Sequence, residues 1–147
     1  MSRFPQLVLA AAAAASFLGC SPKTGAALSA AELSAALPAG TPYALVHLYR
    51  PSRMAGFAIG YDVRLNDSVA YRARNGSRLV LRRSRPGTVT LSAKTETREE
   101  LTLNLEAGRE YYVRCTIGAG ALVGRPHLTQ VSPAQGSKET AGITAAK

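Results

Sequence analysis

Few side chains in this sequence could do chemistry: two cysteines (Cys20, Cys115), two histidines (His47, His127), the adjacent carboxylates Glu99 and Glu100, and fourteen arginines among eighteen basic residues. Cys115 falls in a strand-like run with nothing nearby to activate a thiol, so it is expected to be a small buried hydrophobe. His47 stands inside the most hydrophobic stretch, residues 43–49 (YALVHLY), and is expected to be a core or interface histidine with its hydrogen bonds satisfied. His127 follows Arg125-Pro126 at a strand start and is expected to be exposed. Two histidines and one thiol show none of the spacings of a zinc site. Glu99 and Glu100 point to opposite faces of a strand or mark its start, and cannot work as a general acid/base pair unaided. Residues 118–124 (GAGALVG) lack the Lys-Ser/Thr of a phosphate loop and are not followed by a helical pattern, so they read as a glycine-rich bend or bulge. The expectation is a chain that is not an enzyme and uses no cofactor or metal. A hydrolase using His47 or His127 is the remaining catalytic alternative.

Cys20 is different. Residues 7–18 (LVLAAAAAASFL) are apolar except Ser16, and follow a short segment carrying Arg3. That run suits a signal-peptide core and is too short for the ~20 residues of a spanning helix. The sequence Phe17-Leu18-Gly19-Cys20 at its end resembles the lipobox of bacterial lipoproteins. The resemblance implies cleavage before Cys20, diacylglycerol on its thiol and an acyl chain such as palmitate on its amino group. Several chains at ~0.8 kcal/mol per buried CH₂ hold a protein durably on a bilayer. Ser21, rather than Asp, follows the cysteine, which by the same resemblance favours the outer membrane, facing the periplasm. With Cys20 acylated, no intramolecular disulfide is available.

The formal net charge is +9, and seven arginines (Arg64, Arg72, Arg74, Arg78, Arg82, Arg83, Arg85) crowd one stretch against a single acid, Asp67. Some arginines would simply be solvated strand faces. The functional expectation is a basic surface for anionic headgroups or envelope polymers, where the guanidinium fork suits phosphate and carboxylate. Its candidate contact residues are Arg72, Arg74, Arg78, Arg82 and Arg83, with Tyr112 as an aromatic contact on the polar face of its strand. Nucleic acid is the usual partner of so basic a chain, but an exported protein would not meet it.

The elements that must position these groups are strands. Residues 43–49 are apolar on both faces, as in a buried central strand. Tyr61, Val63 and Leu65, then Val89, Leu91 and Ala93, then Leu101, Leu103 and Leu105, then Tyr111, Val113, Cys115 and Ile117 alternate with polar neighbours. Turn formers separate the runs at Asn66-Asp67, Asn75-Gly76, Pro86-Gly87 and Ala107-Gly108. The pattern predicts an all-β domain over residues 43–143, an antiparallel β-sandwich or small open barrel of about 7–8 strands. Residues 1–19 are the signal peptide, residues 20–42 the lipidated cysteine and a flexible tether, and residues 144–147 a tail. A capping-box pattern, Ser29 to Glu32, would permit a short helix over 29–37 within the tether.

Arg50-Pro51-Ser52-Arg53, Tyr61-Asp62-Val63, Asn75-Gly76-Ser77, Pro86-Gly87, the run LTLNLEAG at 101–108, Tyr111-Tyr112-Val113 and the run LVGRP at 122–126 fall in one order. In that order the chain resembles the bacterial lipoprotein family known as domain of unknown function 2846, and is similar to PEGA-type surface β-domains. The resemblance implies a surface β-domain and an envelope location, and transfers no catalytic residue. The expected role is a binding or interaction module engaging an envelope protein or anionic glycan. The alternative is a structural accessory subunit held in an envelope assembly through a sheet edge.

Overall fold

The computed structural model describes Ser29 and residues 32–145. Cys20, the signal segment and most of the tether lie outside the described residues. Among the described residues nine strands and one helix follow one another: β1 (Ser34–Ala36), β2 (Ala44–Arg50), β3 (Tyr61–Leu65), β4 (Ser68–Ala73), β5 (Ser77–Arg83), β6 (Gly87–Lys94), β7 (Arg98–Leu105), β8 (Arg109–Gly118), β9 (Arg125–Val131) and α1 (Pro133–Thr140). They form, among the described residues, two sheets and no closed barrel: an all-β sandwich.

In the first sheet β8 is the spine. β2 pairs along one of its edges; β1, at residues 109–111, and β9, at 112–118, share the other, and β5 flanks β2. The second sheet has the order β4-β3-β6-β7. Among the described residues every strand pairing is antiparallel except β2 with β8, which is parallel, and an isolated parallel bridge joins Arg78 to Ala145. Parallel neighbours need a long crossover, and here the whole second sheet intervenes in sequence between them.

Period-two alternation places Val46 and Leu48, Tyr61 and Val63, Leu91 and Ala93, Leu103 and Leu105, and Val113 and Cys115 in the layer between the sheets. β2 is buried on both faces because α1 packs over the outer side of its sheet, where Tyr49, Tyr112 and Val131 form a second small cluster. Ser132 caps α1, accepting a hydrogen bond from the Gln135 N–H. Gly136 permits this packing: a Cβ there would lie 2.2 Å from Cγ of Tyr112.

The capping-box pair forms, with Ser29 N donating to Glu32 Oε2 at 2.8 Å and Glu32 N to Ser29 Oγ at 3.4 Å, but it closes a turn that leads into β1 rather than a helix. A helix of two turns is marginal alone, whereas the open edge of β8 offers ladder hydrogen bonds. Part of the segment expected to be spacer is therefore sheet.

The loops 51–60, 74–76, 95–97 and 119–124 gather at one end of the sandwich, where β2, β4, β6 and β8 finish. Arg50 is buried at the root of the first loop and donates to the carbonyls of Ile59, Ala73 (3.1 Å) and Gly56 (2.7 Å).

Candidate functional site

His47 faces outward from β2 and is 6% exposed, its ring stacked on Tyr112 at 4.3 Å between centroids. Nε2 lies 3.2 Å from Glu110 Oε2, and an Arg78 guanidinium nitrogen lies 3.1 Å from Nδ1. A guanidinium can only donate, so Nδ1 is the acceptor and Nε2 carries the proton that Glu110 receives. Burial, helped by the Arg78 charge and opposed by Glu110, lowers the pKa of this imidazole and keeps it neutral. Beside it, Tyr49 donates to Glu139 at 2.8 Å and Arg114 donates to the same carboxylate at 3.1 Å, tying β2 and β8 to α1. Burial would raise the pKa of Glu139, but donors from Gln135 and Tyr49 and the Arg114 charge hold it below the usual value.

The expected arginine surface does not assemble as one patch. Arg78 is turned onto His47, and its Nε is enclosed without a partner among the described residues. Arg83, at the far end of β5, also has an enclosed Nε. Arg82 is exposed on the outer face of the first sheet, 4.4 Å over the Tyr43 ring. Tyr112 must be corrected as a contact residue, because it is 6% exposed beneath α1 and stacked on His47. Its strand face is polar in sequence, but the helix covers it.

Arg72 and Arg74 lie elsewhere, by the loop end of the second sheet. Arg72 bonds to Asp62 at 3.0 Å and lines a groove of about 430 Å³ with Arg64, Lys94, Arg98, Asp67 and Ser92. Four cations and two carboxylates border this groove, and Arg64 reaches the Asp67 carbonyl at 2.8 Å. Sequence reasoning missed Lys94 and Arg98. They are cross-strand partners at the end of the β6–β7 hairpin, and the polar position of Lys94 in its strand was the available signal.

Cys115 is fully buried, and burial pushes its thiol up to about 12. Residues 119–124 form the expected bend, with an added feature. The N–H groups of Ala121, Leu122, Val123 and Gly124 all donate to the carboxylate of Glu96, from the β6–β7 turn. Those donors, led by Leu122 and Ala121, hold the Glu96 carboxyl down at about 2. The bend is an anion cradle whose anion belongs to the chain itself. Among the described residues, no group of three or more His, Cys, Asp or Glu could hold a metal ion, and no helix is long and apolar enough to cross a membrane.

No family model matches the chain, and no curated protein matches it. Among solved structures it is similar to the N-terminal domain of AlgF from P. aeruginosa, with 16% identity, a TM-score of 0.41, and coverage of 63% of this chain and 95% of that one.

Proposed function

We propose that this chain is a lipid-anchored lipoprotein of the bacterial envelope, of the kind its sequence resembles, and that it works by binding rather than catalysis. The groove on the second sheet carries the reading: Arg64, Arg72, Lys94 and Arg98 converge there beside Asp62 and Asp67, with Arg72 bonded to Asp62 and Arg98 to Glu100. Such a surface suits an anionic glycan or an acidic protein face. The His47 geometry supports the non-catalytic half of the proposal. A carboxylate–imidazole pair resembles the orienting half of a catalytic triad, but the nitrogen that would act as base accepts from Arg78 instead.

Two measurements test the reading. The mature N-terminus should have the mass of an acylated Cys20, and an unmodified residue there refutes the anchor. A triple Arg64→Glu/Arg72→Glu/Lys94→Glu variant should lose retention on immobilised anionic glycan and recovery of any envelope protein crosslinked to the native chain; unchanged retention and recovery refute the groove. A structural accessory role is the second reading. It is favoured by β4, whose outer edge has no neighbouring strand in its sheet among the described residues and whose Val69 side chain is exposed. Recovery of one stoichiometric partner, lost on Val69→Lys, would select it.

A further inference from the structure

The loop end of the sandwich holds four exposed apolar side chains. Leu122 is 92% exposed and Val123 sits beside it; Met54 is 87% and Phe57 61% exposed on the neighbouring loop. The two loops meet across Ile117. A Cβ built on Gly56 would fall 2.2 Å from its Cγ2, and one on Gly124 2.9 Å from its Cγ1. The 51–60 loop is also tied to the 74–76 turn, through Arg53 N to Asn75 Oδ1 at 2.8 Å and Asn75 Nδ2 to Ser52 Oγ at 3.3 Å.

Exposed apolar loop tips usually leave backbone donors and acceptors to water, and here part of that need is met within the chain. Glu96 takes four successive N–H groups of the Leu122–Val123 loop, and Arg50 feeds the Gly56 and Ile59 carbonyls of the Met54–Phe57 loop. Internal satisfaction of backbone polar groups is what a segment needs before it can enter an apolar medium. Around the tips stand Arg53, Arg74 and Arg125, none paired with a carboxylate among the described residues; Arg74 shares a cleft with Phe57. Apolar tips inside a collar of arginine match the interface of a bilayer, with acyl boundary beneath and anionic headgroups at the rim.

We infer that this end of the domain is a membrane-docking surface, inserting Met54, Phe57, Leu122 and Val123 at the headgroup boundary of an anionic bilayer while Arg53, Arg74 and Arg125 contact the headgroups. The inference deepens the envelope reading above by adding a second, non-covalent membrane contact to the acyl anchor. It would hold the sandwich end-on against the surface, leaving the flank groove of the second sheet open to a partner.

The test uses the chain from residue 20 onward, which contains every described residue, with Cys20→Ser so that no acyl group contributes. The sequence has no tryptophan, so Leu122→Trp supplies a single reporter. Its emission should shift to the blue with vesicles containing phosphatidylglycerol and much less with phosphatidylcholine alone, and added salt should reverse part of the binding. Val69→Trp, away from the tips, should show no shift. Met54→Ser/Phe57→Ser should weaken vesicle binding by roughly a hundredfold, about tenfold per side chain. Unchanged Leu122→Trp emission, or binding that survives the double serine change, overturns the inference. So does a tip-dependent dimer without vesicle binding, which would assign the surface to a second copy. Failure here leaves the acylation of Cys20 to be decided by the mass of the N-terminus, so the two ideas fail separately.

Discussion

The Arg78 guanidinium donates to Nδ1 of His47 at 3.1 Å, and through that one contact an arginine of the basic stretch becomes part of the packing beneath α1. The pairing orders the imidazole between Arg78 and Glu110 and gives the fold a defined response to acid.

His47 should make the domain less stable as pH falls. Its pKa in the fold lies below the ordinary 6.5, chiefly through burial, so its contribution is complete above that value and is lost as pH drops toward the lower folded value. Urea midpoints measured between about pH 7 and pH 5 should fall for the native chain. They should fall less for His47→Gln, and equal slopes would refute the assignment.

Glu96 should respond in a lower window. Its carboxyl is depressed from 4.5 to about 2, so the hold on residues 121–124 is complete above the first value and is released as pH falls through the second. Amide exchange at Leu122 and Val123 should remain slow at about pH 4. Glu96→Ala should raise it at neutral pH with little change elsewhere.

Gly136→Ala should destabilise the domain by about 1–3 kcal/mol, because a methyl group 2.2 Å from the Tyr112 ring forces helix and sheet apart. Thermal melting reads the loss. Gly142→Ala, with open space around its Cβ, is the matched control.

Arg50→Met should cost about 3 kcal/mol or more, since a similar volume is kept while three carbonyls lose a charged donor. Chemical denaturation measures it. A loss well below that would mean water replaces the guanidinium readily.

Cys115 should ignore thiol reagents until the sandwich opens. Its full burial and a thiol near 12 predict labelling at the rate of unfolding in a chain carrying Cys20→Ser. Prompt native-state labelling would contradict the packing.

Much of this architecture is legible in the residues themselves. Tyr61-Val63-Leu65 and Leu101-Leu103-Leu105 alternate cleanly, and both runs are strands with the apolar set turned inward. β4 is harder to read because the register slips between Val63 and Arg64. Val63 faces Tyr71 but Arg64 faces Val69, leaving Ala70 as the extra residue and Val69 on the outer face. β1 is short and alanine-rich, and only an open edge of β8 makes it a strand. The site was less legible still. Arg72 and Arg78 are six residues apart in one basic stretch, yet the turn at Arg74–Ser77 sends them to different sheets. Tyr112 alternates as a polar-face residue, and only the docking of α1 shows that its face is closed.

β2, the most apolar segment, finds its neighbours only in strands made after it: β5 along one edge and β8, far downstream and parallel, along the other. A nascent chain therefore carries YALVHLYR with one edge unpaired until residue 114 has been synthesised. A stretch rich in β-formers and free of proline invites aggregation while it waits. The non-local closure predicts slow folding.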